Sequence, residues 1–320
     1  MLFLTGLHDA RQLAGFDPSS WTGRRRRIAI DLIDDIDRLG DGKTRAALFE
    51  RIVDARGAFK RTYRDRFAAF DALIIDCWQR SGLPTQNVRV LDAAVSDGST
   101  SLALIVAVSA LSAGRFAFTA TDLDGRYLRI CDEAAPQRRV IVSEAGQVVQ
   151  IIVPPFLFTH RESRHLFPLN RLLRPAAQRF ADRLLKRWRN RDPGIQTREI
   201  LLFAPEFRQM LESDPCIEFR SWDILEPWQA DKATCVRAMN VLNPGYFDAH
   251  QMRRAVCNLL DVVADGGILA VGSNDDAGTD VDGIVCRRRG ARLEVLASTG
   301  RGFRAPDAIA PLIVQASPSA

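Results

Sequence analysis

Three carboxylates flank one short run of small residues. The run is Asp92-Ala93-Ala94-Val95-Ser96-Asp97-Gly98-Ser99, and Asp122 follows 24 residues after Gly98. A ligand lying across such a loop must approach the backbone closely. Small side chains permit this, and glycine also permits positive φ. Ala94, Ser96 and Gly98 are therefore candidate cofactor contacts. A carboxylate placed like Asp122 can accept both hydroxyls of an adenosine ribose. Asp92 can orient the loop or reach a bound ammonium group through a water. Each acid alone could merely cap a turn or a helix. Their spacing, on consecutive strand ends, favours a ligand site.

The charge of the loop bears on the ligand. A nicotinamide dinucleotide wants G-x-G-x-x-G, with its pyrophosphate on a helix N-terminus, and that string is absent. Asp92, Asp97 and Asp122 suit a cation better than a diphosphate. S-adenosylmethionine (SAM) has no phosphate and carries a positive sulfonium, so SAM is the expected cofactor and S-adenosylhomocysteine (SAH) the product. Methyl transfer is an in-line displacement, in which the protein mainly aligns the nucleophile and excludes water. A carboxylate acceptor needs no general base, whereas an amine or hydroxyl can.

The candidate catalytic residues are Arg237, Asn240, Tyr246 and His160. Arg237 can hold a carboxylate substrate bidentately, or form a structural bridge to Asp223 or Asp122. Asn240 can also bind the amino or carboxylate end of the cofactor. Tyr246 can cover the pocket or pack beside Phe247, and Asn274 and Asp275 can line the same mouth. His160 is a candidate general base if its segment folds over the pocket. Otherwise His160, His165 and His250 are structural or surface groups. No Cys or carboxylate stands at a metal-ligand spacing from them, so no metal is expected.

These residues need a sheet to hold them. Val88–Asp92 reads as a strand, Ser101–Leu111 as a buried helix and Phe116–Thr121 as a second strand ending in Asp122, which makes a βαβ unit. The pattern resumes with strands Ile217–Ser221 and Ala233–Arg237, helix Phe247–Val263, a break at Gly266-Gly267 and strand Ile268–Val271. A terminal hairpin pairs Val281–Arg287 with Arg292–Leu296. Upstream, residues 1–22 read as an irregular arm and 42–81 as helical, stopped by Gly82-Leu83-Pro84. Between the two α/β stretches, Arg139–Ser143 and Val148–Val153 read as a hairpin around Glu144–Gln147. Leu172–Trp188 reads as a basic amphipathic helix and Ala204–Leu211 as a short helix, while Pro154–Leu169 shows no clear period.

The segments VRVLDAAVSDGSTSLAL (88–104) and FAFTATDLDGRYL (116–128) resemble the first two motifs of class I SAM-dependent methyltransferases. Members of that family usually carry an acid and then three glycines at alternate positions. Here those positions are Ala94, Ser96 and Gly98. The resemblance assigns ribose binding to Asp122. Through FRSWDILEPW (219–228) it assigns the adenine amino group to Asp223. Leu123 and Ile224, beside these acids, complete the implied cofactor-binding set with Asp92 and Asn240. CVRAMNVLNPGYF and VVADGGILAVGSN resemble the fourth-strand motif and the helix-turn-strand after it. Within the class, Ser96 and Tyr246-Phe247-Asp248 are similar to the chemotaxis receptor glutamate methyltransferase family. That family has an acidic pair where this chain has Ser99-Thr100, and an adjacent Arg-Asn pair where Arg237 and Asn240 stand apart. The implied fold is a Rossmann-like class I methyltransferase α/β sheet with helices on both faces, a helical N-terminal region and a hairpin-plus-helix insertion. The expected organisation is an arm and helical region at 1–84, a methyltransferase domain at 85–304 with its insertion at 126–212, and a tail at 305–320.

The 320 residues suffice for one large domain with additions. The net charge of +5 gathers around Arg24–Arg27, Arg161–Arg191 and Arg287–Arg292. Nothing there carries the aromatic interleaving or finger spacing of a nucleic-acid reader. The six cysteines form no C-x-x-C pair, fitting free thiols in a reducing cytoplasm. Neither a signal peptide nor a transmembrane helix is expected. In the insertion, VVQIIVPPFLF (148–158) precedes the basic helix. It either completes a core or forms an apolar surface with a basic rim, through which residues 148–190 would meet a lipid-linked substrate, a membrane or a protein. The expected location is cytoplasmic, with membrane association at the inner face as the alternative. The function expected is methyl transfer to an acceptor such as a small molecule, a lipid-linked substrate or a protein carboxylate. A non-catalytic SAM-binding scaffold and a dinucleotide oxidoreductase are the competing readings.

Overall fold

A computed structural model of the chain describes residues 6–14, 16–17, 27–39, 45, 49, 65–159, 168–274, 280–303 and 313–314. The chain divides into two units. One joins Met1–Thr62 to Asp124–Leu202, and the other joins Tyr63–Leu123 to Phe203–Ala320.

The second unit is built on a sheet with eight strands among the described residues. Numbered along the whole chain, they are β1 (Val88–Ala93), β2 (Phe116–Asp122), β8 (Ile217–Ser221), β9 (Ala233–Met239), β10 (Val263–Asn274), β11 (Val281–Arg289), β12 (Arg292–Thr299) and β13 (Ile313–Val314). Their order is β13-β12-β11-β10-β9-β1-β2-β8. From β8 to β10 all neighbours are parallel, and β11 runs antiparallel to both β10 and β12. The chain leaves β1 toward β2 and β8, then returns to the other side of β1 for β9 and β10. Strand order thus reverses between β1 and β9, the arrangement of a Rossmann-like sheet. The carboxyl ends of those two strands flank the crevice where such folds bind ligands.

Central parallel strands are covered on both faces and read as near-continuous apolar runs, as β1 and β9 do. On one face Leu91, Ala93, Val236 and Ala238 share a core with Met252, Ala255, Val256 and Leu259 of helix α6 (Ala249–Val262). That helix begins two residues inside the expected Phe247 because Asp248 and Gln251 form a reciprocal capping box. Helix α2 (Ala68–Arg80) buries Phe70, Asp71, Ile74, Cys77 and Trp78. It lies against β11, where the bare Cα of Gly283 leaves room for the Phe70 ring. Helix α3 (Ser101–Leu111) connects β1 to β2.

The first unit is an antiparallel sheet with the order β6-β5-β4-β3-β7. Its strands are β3 (Arg126–Asp132), β4 (Arg139–Ser143), β5 (Val148–Val153), β6 (Phe156–Thr159) and β7 (Ile195–Leu201). Helix α4 (Pro168–Arg189) covers one face, packing Ala177, Ala181, Leu184 and Leu185 on Ile130, Val140, Val142, Ile151 and Phe158. The N-terminal arm covers the other, where Leu7, Ile28, Ile30, Ile33 and Ile36 meet Tyr127, Ile141, Val149, Ile152 and Leu157. Helix α1 (Ile33–Arg38) belongs to this layer. Two buried polar side chains pin the arm. Gln150 accepts from the Ile30 N–H at 2.9 Å and donates to the Ile28 carbonyl at 2.9 Å. Arg139 donates to Asp31 at 2.8 Å and to the His8 carbonyl at 2.9 Å.

These contacts change the expected organisation. The region 1–84 is not one element: its first part joins the insertion and its last part the parallel sheet. The insertion is a five-stranded sheet with a helix, larger than one hairpin, and spans Asp124–Leu202 in place of 126–212. The apolar run 148–158 does not form an open surface, because Val149, Ile151, Ile152, Leu157 and Phe158 are divided between two cores. Of the expected helix at 42–81, α2 and the helical Arg45 and Phe49 are seen, and most of the rest lies outside the described residues. In the expected tail, Ile313–Val314 adds an edge strand beside β12.

Candidate functional site

The strand registers bring the candidate residues to one edge. Ala93 is level with Thr121 on β2 and Ala238 on β9, and Asp122 is level with Ser221 on β8. The loops leaving β1, β2, β8 and β9 therefore start side by side.

The loop after β1 has an alternating backbone. Ala94, Ser96 and Gly98 all have positive φ, at 60°, 59° and 75°. Left-handed conformation is readily adopted only by glycine and costs other residues about 1–2 kcal/mol. The loop holds it through hydrogen bonds. The Val95 N–H donates to the Thr121 carbonyl at 2.9 Å, and the Ser96 N–H to Asp122 Oδ2 at 2.7 Å. Gly98 N–H donates to the Val95 carbonyl at 3.0 Å, and the Asp97 carbonyl accepts from Ala204 N–H at 2.7 Å. The turn thus clasps the carboxylate that the sequence assigns to ribose. The Ser96 hydroxyl is buried and has no hydrogen-bond partner among the described residues. Gly98 has a second constraint. A Cβ there would overlap the ring of Phe207, which is fully buried on helix α5 (Pro205–Ser213) and packs edge-on to Phe203 at 5.5 Å.

Beneath the loop lies a buried ion triad. Arg237 on β9 and Asp92 on β1 are register partners. The Arg237 Nε donates to Asp92 Oδ1 at 2.9 Å, and Nη2 to Asp92 Oδ2 at 2.5 Å and to the Thr100 carbonyl at 3.2 Å. Nη1 donates to both carboxylate oxygens of Asp71, on α2, at 2.7 and 2.8 Å. Ser101 Oγ adds a bond to Asp92 at 2.6 Å. All three guanidinium nitrogens donate to these partners, and the side chain is 1% exposed. This corrects the expectation that Arg237 holds a substrate carboxylate or bridges to Asp122 or Asp223. It is a structural cation whose partners are Asp92 and Asp71. Asp92 correspondingly spends its carboxylate on Arg237 and Ser101, which fits its loop-orienting role. Burial pushes the Asp71 carboxyl above its ordinary value, against the pull of Arg237. Burial also pushes the neighbouring Cys235 thiol up to about 12, so it stays protonated. Sequence reasoning missed Asp71, although the signal was there: a lone acid at helical spacing from Phe67, Ile74 and Trp78 in an otherwise apolar stripe.

The other candidates are distributed around this edge. Ser221 Oγ donates to the Leu123 carbonyl at 3.1 Å. Asp223 accepts the Leu225 N–H at 3.0 Å in the turn after β8, and Ile224 is buried in the core. Asn240 has φ of 57° and closes a reciprocal pair with Asn274, donating to its Oδ1 at 2.8 Å and accepting its N–H at 2.9 Å. It thereby ties β9 to β10 at their carboxyl ends. Tyr246 sits in a turn and is 53% exposed. His160, His165 and Asp275 lie outside the described residues. No cluster of metal-binding side chains occurs among the described residues.

No protein-family model and no curated protein matches the chain. Solved structures are similar to it. One is the N-methyltransferase NodS from Bradyrhizobium japonicum WM9 in complex with SAH, at 15% identity and a TM-score of 0.32, covering 68% of this chain and 66% of NodS. Another is SAM-bound CalS10, an amino pentose methyltransferase from Micromonospora echinaspora, at 11% identity and a TM-score of 0.31, covering 72% of this chain and 66% of CalS10. A third is the CurJ carbon methyltransferase, at 11% identity and a TM-score of 0.39, covering 84% of this chain and 48% of that one. The chain thus spans just under two thirds of the first two and about half of the third.

The loop geometry makes opposite predictions for neighbouring positions. Gly98→Ala combines left-handed strain with overlap on Phe207 and should cost about 2–4 kcal/mol. Ala94→Gly relieves strain, offset by the greater freedom of the unfolded chain, and should be neutral or stabilise by up to about 1 kcal/mol. Urea unfolding of the two variants checks both signs.

The triad predicts a pH signature. Arg237→Met leaves two buried carboxylates unpaired and should cost about 3–5 kcal/mol. Asp71→Asn should cost less. The raised Asp71 carboxyl stabilises the fold fully below its ordinary value of 3.8, and that contribution is lost as pH rises through the elevated folded value. The deficit of Asp71→Asn relative to the parent should therefore shrink between acid and neutral pH, as measured by urea unfolding at both.

Proposed function

We propose that this chain is a SAM-dependent methyltransferase whose cofactor seat is the loop 94–99 together with Asp122. The observation that carries this reading is the left-handed backbone at three alternate positions beside the strand-order reversal, with the Asp122 carboxylate held by the Ser96 N–H. Two features fit the cofactor. The buried Ser96 hydroxyl lacks a hydrogen-bond partner among the described residues, and burying such a group costs free energy unless a ligand or water satisfies it. The acid at the end of β2 suits a ribose.

Bound there, SAM would supply a methyl group activated by its sulfonium. The protein's task is then positional. Asp122 would accept the ribose hydroxyls, and Asp223, Leu123 and Ile224 would bound the adenine. Asp92 holds the β1 end of the loop through Ser101 and Arg237, so the loop is set before a ligand arrives. The Asn240–Asn274 pair fixes the far lip. The acceptor is a small molecule, a lipid-linked substrate or a protein carboxylate. The last of these would have to find a cation other than Arg237, whose buried guanidinium faces Asp92 and Asp71.

The same burial of Arg237 favours a second reading, a SAM-binding protein that transfers nothing. Calorimetry with SAM and SAH separates the outcomes. The proposal expects micromolar binding of both, weakened roughly thirty-fold or more by Asp122→Ala through loss of charge-assisted hydrogen bonds, and SAH formation once an acceptor is supplied. Binding without SAH formation across all three acceptor classes would favour the scaffold. Absence of binding to either ligand sinks both.

A further inference from the structure

Helix α4 has two unlike faces. One packs Ala177, Ala181, Leu184 and Leu185 into the first unit's core. The other exposes Arg171, Arg179, Arg183, Lys186 and Arg189, a row about 27 Å long at 1.5 Å per residue. None of these five forms an ion pair among the described residues. Arg187 is paired with Asp132 and Asp192 and is partly buried. The one acid on the exposed face, Asp182, accepts from Gln178 at 3.0 Å.

Arg179, Arg183, Lys186 and Arg189 follow one another at spacings of four, three and three. Like charges at such spacings repel and weaken a helix. The helix dipole welcomes cations only in the last turn, which accounts for Lys186 and Arg189 and leaves Arg179 and Arg183 unexplained. A row of cations retained against its own repulsion fits an anionic partner. The face carries no aromatic ring on which a base could stack, since Phe180 and Trp188 pack toward the core. It does carry Leu172, 76% exposed beside Arg171, an apolar side chain suited to the boundary between headgroups and acyl chains.

We propose that this face of α4 docks the protein on a bilayer containing anionic lipid. The attraction is mainly electrostatic, because the apolar residues of 148–158 are consumed in the two cores. This proposal is independent of the methyl-transfer reading.

Sedimentation of the full chain with vesicles of phosphatidylcholine, alone or mixed with phosphatidylserine, tests it. Binding is expected to the mixture only, and to fall as salt is raised. Each cation near an anionic surface contributes roughly a five-fold gain in partitioning. The combined substitution Arg179→Gln, Arg183→Gln and Lys186→Gln should therefore weaken binding roughly a hundred-fold. All three are exposed and their mutual repulsion is relieved, so the thermal midpoint should not fall. Equal binding to phosphatidylcholine alone, or retained binding by the triple variant, would overturn the proposal. Tighter binding to duplex DNA than to the mixed vesicles at the same salt would overturn it in favour of a nucleic-acid partner.

Discussion

Every nitrogen of the Arg237 guanidinium donates inside the core, and much of the candidate site hangs from that guanidinium. Through Asp92 it ties β9 to β1, through Asp71 it holds α2, and through the Thr100 carbonyl it reaches the start of α3. These elements surround the point where strand order reverses. A buried cation facing two carboxylates is poor evidence of stability on its own, because desolvation offsets much of the attraction. Its consequence here is positional. Remove the guanidinium and two acids lose their shared partner under the one loop that must keep its shape.

That loop holds a left-handed backbone at two positions that are not glycine. Left-handed φ at Ala94 and Ser96 stores modest strain, and the hydrogen bonds of Val95 and Ser96 to the end of β2 over-determine the conformation. Gly98 is the position where a side chain would also strike the Phe207 ring. Of the three alternate positions, the one that is glycine has both a torsional and a steric reason to be so.

The parallel sheet was legible because its central strands are buried on both faces and stand out as apolar runs between turn signals. Strand β8 and the β4–β5 hairpin fall where their residues place them. Strands β3 and β7 were not legible. Arg126, Arg129 and Asp132 interrupt the first, and β7 is an edge strand exposing Gln196 to Glu199. The union of the N-terminal arm with the insertion was hidden too, since its apolar layer joins segments distant in sequence and Gln150 bonds Ile30 and Ile28 across 120 and 122 positions. At the candidate site, the nearness of Asp122 to the loop could be read from spacing. The fate of Arg237 could not. Its type fits a substrate clamp as well as a core cation, and only the approach of Asp71, 166 residues away in sequence, decides between them.

We infer that the alternating loop and Asp122 form a seat shaped for an adenosyl cofactor before that cofactor arrives. A crystal structure of the chain grown with SAH tests it most directly. The account predicts positive φ at Ala94, Ser96 and Gly98, ribose hydroxyls on Asp122, and a hydrogen-bond partner for the Ser96 hydroxyl. An ordered loop with Ala94 or Ser96 in extended conformation, or SAH bound away from Asp122, would contradict it.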